Sequence, residues 1–148
     1  MGLPLRCWEE ICDAVYKTTG IHQKFLLLKS GELGARKREI VNARFMAMTA
    51  IKHNTGSSLE EIGELFSGRK YWTVLHAIKK NKHFCETEKP YKTVYESLEN
   101  KVAIIIGKYF DEKEDKLQDI IINFKDELNY KQRVTFNKIC IQLIKRGI

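Results

Sequence analysis

An all-α fold built around a helix-turn-helix and continued by a C-terminal helical extension is predicted by three observations. Only two prolines, Pro4 and Pro90, punctuate 148 residues. Apolar side chains recur at helical spacing through most of the chain. The stretch SLEEIGELFSGRKYWTVLHAIKKNK, from Ser58 to Lys82, holds two short amphipathic patterns hinged at Ser67-Gly68. A composition of 43% hydrophobic and 30% charged residues is that of a folded soluble protein rather than a disordered tail.

Each element follows from a local pattern. Trp8, Ile11, Cys12 and Val15 share a face and predict a first helix from about Trp8 to Thr18, stopped near Gly20. Phe25, Leu26 and Leu27 predict a short turn on the core. Gly31 and Gly34 then loosen the chain before Arg36-Lys37-Arg38, a basic loop leading into the next helix. That triplet is either a solvated surface or a phosphate contact. From Ile40 to His53, the side chains Val41, Phe45, Met48 and Ile51 fall close to one face, with Arg44 and Lys52 on others. Met46 and Met48 read as core filler rather than ligands.

Thr55 and Gly56 end that helix, and Ser58-x-x-Glu61 predicts a capping box for the next, whose buried stripe is Leu59, Ile62 and Phe66. Gly63 stands inside it, where a glycine costs roughly 0.5 to 1 kcal/mol relative to alanine. That cost predicts a neighbouring backbone in close approach. Ser67-Gly68 is too short for anything but a sharp corner, and beyond it Val74, Ala77 and Ile78 start a new pattern. The arrangement is a helix-turn-helix.

In such a corner the first helix braces the second, whose N-terminal turn projects into the major groove of DNA. Arg69 and Lys70, at the positive end of the helix dipole, suit a phosphate. Thr73 offers a base its hydroxyl or its methyl. Tyr71 and Trp72 carry apolar faces that fit a thymine methyl; for Trp72 a buried anchoring role is an equal account. His76, next to Ala77, reads as a satisfied histidine on the packed side.

After Pro90 the composition changes. One amphipathic helix is predicted from Val94, Leu98, Val102, Ile105, Ile106 and Tyr109. A second is predicted from Leu117, Ile120, Ile121, Phe124 and Leu128, and a third from Val134, Ile139, Leu143 and Ile144. Each stripe must be covered, so the extension either folds back on the N-terminal module or pairs with a second copy, as a homodimer through residues 91–148. The expected domains are 1–88, which carries the helix-turn-helix, and 89–148.

The net charge of +7 is unevenly placed. Residues 1–84 carry 14 Lys and Arg against 8 Asp and Glu, whereas residues 85–148 carry 12 against 11. A basic module joined to a near-neutral one points to a polyanionic partner for the first half. The four cysteines, Cys7, Cys12, Cys85 and Cys140, form no C-x-x-C pair and no metal spacing with histidine, and read as reduced thiols of a cytoplasmic, nucleoid-associated protein. No signal peptide or bilayer-spanning apolar run is legible, and no membrane partner is expected. Glu60, Glu61 and Glu64 lie on a solvated face and the histidines are scattered, so neither an acid/base pair nor a nucleophile stands out. The expectation is a non-enzymatic chain with no cofactor and no metal.

The segment from Arg36 to Ala77 resembles the C-terminal DNA-binding domain of the bacterial replication initiator DnaA. The motifs are AR-x-MAM (Ala43 to Met48), T-x-x-SL-x-EIG (Thr55 to Gly63), F-x-GR (Phe66 to Arg69) and TVLHA (Thr73 to Ala77). With the first helix and the IVNAR run, the similarity covers roughly Trp8 to Phe84. It implies an all-helical domain in which a basic loop reaches the minor groove of double-stranded DNA and the helix-turn-helix reads the major groove. By position, Arg36 matches the family's minor-groove arginine, Arg44 another DNA-contacting arginine, Lys52 a basic residue, Arg69 a phosphate-binding arginine and Thr73 the last of its contacting run. The candidate DNA-binding residues are therefore Arg36, Lys37, Arg38, Arg44, Lys52, Ser58, Arg69, Lys70, Tyr71, Trp72 and Thr73.

Departures fall where sequence is read. The family's usual Asp-His-Thr-Thr is Lys70-Tyr71-Trp72-Thr73, and the glutamine that often follows the matched arginine is Phe45. Full-length members also carry an ATPase module. This chain has no G-x-x-x-x-G-K-[ST] run, so neither nucleotide binding nor ATPase activity is expected of it. The implied function is sequence-preferring duplex binding in replication initiation or transcriptional regulation. The alternative is a protein-interaction module on the same scaffold, gripping a partner through Tyr71 and Trp72.

Overall fold

The computed structural model describes residues 5–124 and 130–146, and every regular element among them is helical. In order these are α1 (Leu5–Thr19), α2 (Gln23–Leu26), α3 (Arg38–Asn54), α4 (Leu59–Leu65), α5 (Tyr71–Thr87), α6 (Lys89–Phe124) and α7 (Tyr130–Lys145). Contacts divide the chain into two compact units, Met1–Ile105 and Ile106–Ile148.

In the first unit α3 is the hub, packing on α1, α2, α4 and α5. The sequence pattern predicts one buried stripe on this helix, but burial is continuous from Met46 to Ile51 because neighbours enclose it on several sides. Ala43, Ala47 and Ala50 are small enough to let those neighbours approach. The expected stripe members Val41 and Phe45 lie at the rim, half-buried. Trp8 of α1 meets the fully buried Phe66 edge-on, with ring centroids 5.3 Å apart, and so closes the core over the end of α4.

The first turns of α6 complete this core with Tyr91, Tyr95, Leu98 and Val102, all buried. The Tyr91 hydroxyl donates to Oδ1 of the buried Asn81 at 2.6 Å, which satisfies a polar side chain that would otherwise be costly inside α5. Lys101 Nζ donates to Thr18 Oγ1 at 2.8 Å, tying α6 to α1. The segment 89–105 therefore packs with the helix-turn-helix unit, although the composition changes at Pro90.

The two helices predicted between Val94 and Leu128 prove continuous up to Phe124 as α6. The intervening Asp-Glu-Lys-Glu-Asp-Lys run, residues 111–116, holds no breaker and is compatible with a helical backbone. The third predicted helix is α7, on which Leu143 and Ile144 are half-buried while Ile139 and Ile141 are exposed. The side chains of Ile120, Ile121, Phe124, Leu128, Val134 and Cys140 lie outside the described residues.

The helix-turn-helix corner has a specific cause. Ser67 and Gly68 both adopt positive φ, 64° and 71°, reversing the chain within two residues. The Gly63 carbonyl accepts from both Phe66 N (3.1 Å) and Arg69 N (2.9 Å). Its Cα faces the Arg69 backbone so closely that a Cβ at this position would overlap the Arg69 carbonyl. The predicted capping box is present: Ser58 Oγ accepts from Glu61 N, and the Glu61 carboxylate accepts from Ser58 N.

Two outcomes follow. Helix propensity alone favours Gly63→Ala by about 1 kcal/mol; overlap with the Arg69 carbonyl reverses the sign, and urea titration should give a net loss of roughly 2 kcal/mol. The second concerns alkaline pH. Burial pushes the Cys12 thiol up to about 12, with Glu9 adding to the shift, and burial likewise raises the Tyr91 and Tyr95 phenols. These groups are held neutral when folded and ionise on unfolding, so their stability contribution is full below the ordinary values of 9.0 and 10.0 and is lost as pH rises beyond them. The urea midpoint should fall progressively across that range while remaining flat at neutral pH.

Candidate nucleic-acid interface

The corner and α3 together hold a loop. Between α2 and α3 the chain runs from Leu27 to Lys37, and three side chains fasten its carbonyls. The Ser67 hydroxyl donates to Leu27 O. Arg69 Nη2 donates to Leu28 O at 2.6 Å, and Arg44 Nη2 donates to Ala35 O at 3.0 Å. Ser67 stands in a left-handed conformation that costs a non-glycine residue roughly 1 to 2 kcal/mol, and its tie to Leu27 helps offset this. The same corner that aims α5 thus seats the loop bearing Arg36 and Lys37, which leads into Arg38 at the start of α3.

The candidate cations fall into two tiers. Arg36, Lys37, Arg38 and Lys70 are exposed; Arg38 pairs with Glu88 at 3.1 Å across the surface. Arg44, Lys52 and Arg69 instead turn inward onto backbone carbonyls. Lys52 Nζ donates to Ser57 O at 3.0 Å and braces the turn before α4. Arg44 is 7% exposed, so its match to a DNA-contacting arginine comes with a guanidinium engaged in the loop.

The electrostatics of the inner pair are unusual. Burial, with the charge of Arg69 adding to it, brings the Arg44 guanidinium down to about 10 from an ordinary 12.5; burial also lowers Arg69. Among the described residues no carboxylate forms an ion pair with either, and the Nε atoms of both are buried without a hydrogen-bond partner. Two adjacent cations without a counter-charge leave a positive field that an external anion would relieve.

Helix α5 presents its outer face beside them. Lys70 is its N-cap and provides no side-chain cap, while the Lys70 carbonyl accepts from Thr73 N at 3.0 Å and Val74 N at 3.4 Å; the positive end of the helix dipole lies at Lys70. Val74, Ala77 and Asn81 point into the core. Tyr71 (48% exposed) and Trp72 (58%) stand edge-to-face at 5.3 Å, on the surface. Of the two readings open for Trp72, the buried anchor is excluded by this exposure. Thr73 is half-buried at the edge, and Ser58 is occupied as the cap of α4.

His76 is a correction: it is exposed, with its ring against Phe45 at 6.1 Å, because position 76 lies a residue off the Val74–Ala77–Asn81 face. Three further features escaped the sequence reading. Ser67 acts as a loop anchor, for which no sequence signal exists. Leu75 is exposed and Lys79, Lys80 and Lys82 line the outer face of α5; i,i+4 spacing from Tyr71 to Leu75 to Lys79 carries that signal.

An all-helical unit with a sharp helix-turn-helix corner, a fastened basic loop and an outward cationic helix end defines the class of helix-turn-helix DNA-binding domains. Residues 8–80 match the bacterial dnaA protein helix-turn-helix family, and over this segment the chain is similar to that family. It is similar to chromosomal replication initiator proteins DnaA: 44% identical to that of Thermus thermophilus over 64 residues, 42% of this chain and 15% of the relative. To that of Bacteroides fragilis it is 34% identical over 91 residues, 62% of this chain and 18% of the relative. To that of Paraburkholderia xenovorans it is 43% identical over 70 residues, 46% of this chain and 12% of the relative. The chain therefore spans less than a fifth of the length of these relatives. No helix among the described residues is long and apolar enough to cross a membrane.

A charge-assisted bond to a carbonyl contributes about 1.5 to 3 kcal/mol, so releasing one should loosen the loop without unfolding the unit. In Arg69→Gln, amide hydrogen exchange from Leu28 to Lys37 should quicken roughly tenfold or more, while amides of α3 keep their rates. Unchanged loop exchange would show that the tie to Leu28 does not hold it.

Proposed function

We propose that the chain binds double-stranded DNA with a sequence preference. The N-terminal turns of α5 enter the major groove, and Arg36, Lys37 and Arg38 lie along the minor groove or its phosphates. The observation that carries this reading is the pair Arg44–Arg69: one buried and one half-buried guanidinium, bonded to loop carbonyls and without a carboxylate partner among the described residues, beside the exposed Arg36, Lys37 and Lys70. In the folded chain their desolvation is offset by hydrogen bonds to loop carbonyls, and a duplex, with one negative charge per roughly 1.7 Å of axis, neutralises the charge that remains. In this reading Arg44, Lys52 and Arg69 position those exposed cations, and Ser58 holds the first helix. Lys70, Tyr71, Trp72 and Thr73 make the direct approach.

Replication initiation is the context supported by the relatives' names, and regulation of transcription uses the same contact. The chain supplies binding rather than ATP-driven work, since no phosphate-loop pattern accompanies the domain. Of residues 91–148, the part beyond Ile105 serves self-association, since Tyr91 to Val102 fill the first unit's core; Ile139 and Ile141, which α7 leaves exposed, support this. The second reading, a protein-docking face, draws on the exposed Tyr71–Trp72 pair, since aromatics anchor many interfaces.

Fluorescence anisotropy on random-sequence duplex tests the proposal. Affinity should fall steeply with salt, and Arg36→Ala and Lys70→Ala should each weaken binding on every sequence while reducing the logarithmic salt slope by about one. A flat salt response, or affinity unaltered by both changes, overturns duplex binding and favours the docking face.

A further inference from the structure

We infer that the exposed cluster Tyr71, Trp72 and Leu75 reads thymine by its C5-methyl group, so that the preferred site is set by apolar contact rather than by bidentate hydrogen bonding. The inference rests on the duplex-binding reading above and names what that interface selects.

The outer face of α5 is ordered along its length. At about 100° per residue, positions 71, 72, 75, 76 and 79 fall together, opposite the buried Val74, Ala77 and Asn81. The first two turns of this face carry apolar surface, with Tyr71 48%, Trp72 58% and Leu75 37% exposed. The next two carry Lys79, Lys80 and Lys82, all exposed. In a helix that enters the groove by its tip, only the first turns reach base edges, while the later turns stay level with phosphates. The apolar patch is therefore placed at the bases and the lysines at the backbone.

Base-edge chemistry then selects the partner. Discrimination of guanine and adenine by paired hydrogen bonds uses chiefly arginine or lysine for guanine and asparagine or glutamine for adenine. From Tyr71 to His76 none of these occurs, and Lys70 stands before the helix as its N-cap. The apolar feature of the major groove is the thymine methyl. The edge-to-face packing of Tyr71 on Trp72, at 5.3 Å and 75°, holds the two rings in a fixed relation, which limits the rotamer entropy lost when a methyl seats against them. Leu75, one turn further, borders the same surface. An apolar patch this exposed beside Lys70 and the uncompensated Arg44–Arg69 pair is complementary to a groove that is apolar at the methyl and anionic at its walls.

The test separates methyl contact from general affinity. Duplexes enriched on the full chain from a randomised pool are resynthesised with every thymine replaced by deoxyuridine, which removes only the methyl. Wild type should bind the thymine form more tightly by about fourfold for each methyl contacted, the effect of burying one methyl-sized group. In the double variant Trp72→Ala, Leu75→Ala the two forms should become equal, with the salt slope kept. Both side chains are exposed, so circular dichroism and the melting temperature should stay near wild type. Equal wild-type affinity for both forms, with steep salt dependence, overturns methyl readout and leaves duplex binding standing. A persistent thymine preference in the double variant also overturns it. No affinity for either form overturns both proposals.

Discussion

The close approach of backbone to backbone at Gly63 and Arg69 is the constraint on which the rest of the domain depends. Because Gly63 has no side chain, the chain turns back against α4 and donates Arg69 N into the same carbonyl that terminates the helix. The corner then needs only Ser67 and Gly68, both at positive φ, to complete its reversal. Any longer turn would let α5 pivot. A fixed corner sets the direction of α5 relative to α4 and, through Ser67 and Arg69, the start of the basic loop.

From that constraint follows the division of the cations into inner and outer tiers. An arginine that bonds a carbonyl spends part of its donor set on the fold and keeps its charge. Arg69 and Arg44 do so from two different elements, the corner and α3, onto the two ends of one loop. The loop is thereby gripped at Leu28 and Ala35 and delivers Arg36 from a seated backbone. Desolvation of the pair is a cost, and mutual repulsion adds to it. In the free protein that cost is offset only by hydrogen bonds to carbonyls. A bound anion lowers it further, which couples loop geometry to ligand affinity without any change of fold.

Much of this was legible in the sequence where the cause is local. Ser58-x-x-Glu61 specifies a capping box because both partners sit within one turn, and Gly63 announces a close approach because a glycine inside a helix otherwise costs stability. The positions of α1 to α5 follow from apolar spacing. What was not legible depends on tertiary neighbours. The inward turn of Arg44 depends on a carbonyl nine residues earlier, and the ties from Ser67 and Arg69 to Leu27 and Leu28 join residues about forty apart, a distance no periodicity carries. His76 was assigned to the packed side from its neighbour Ala77, though one helical step is enough to swing a side chain from core to solvent. The composition change at Pro90 marks a change in sequence character, while Tyr91 to Val102 still fill the first unit's core.

The exposed tip of α5 differs from its frame in how freely it can vary. Val74, Ala77 and Asn81 are buried and constrained by packing, so replacing them costs stability whatever the ligand. Tyr71, Trp72 and Leu75 are exposed by 48%, 58% and 37% and are not core residues, so substitution there costs less than in the core. In the proposed duplex-binding reading the frame supplies the sequence-independent hold, since phosphate contact positions a protein without specifying bases, and the tip residues supply the specificity. Gly63, Ser67, Gly68 and Arg69 are held by backbone geometry and by hydrogen bonds, whereas Lys70, Tyr71 and Trp72 stand on the surface, so packing constrains the frame far more tightly than the tip.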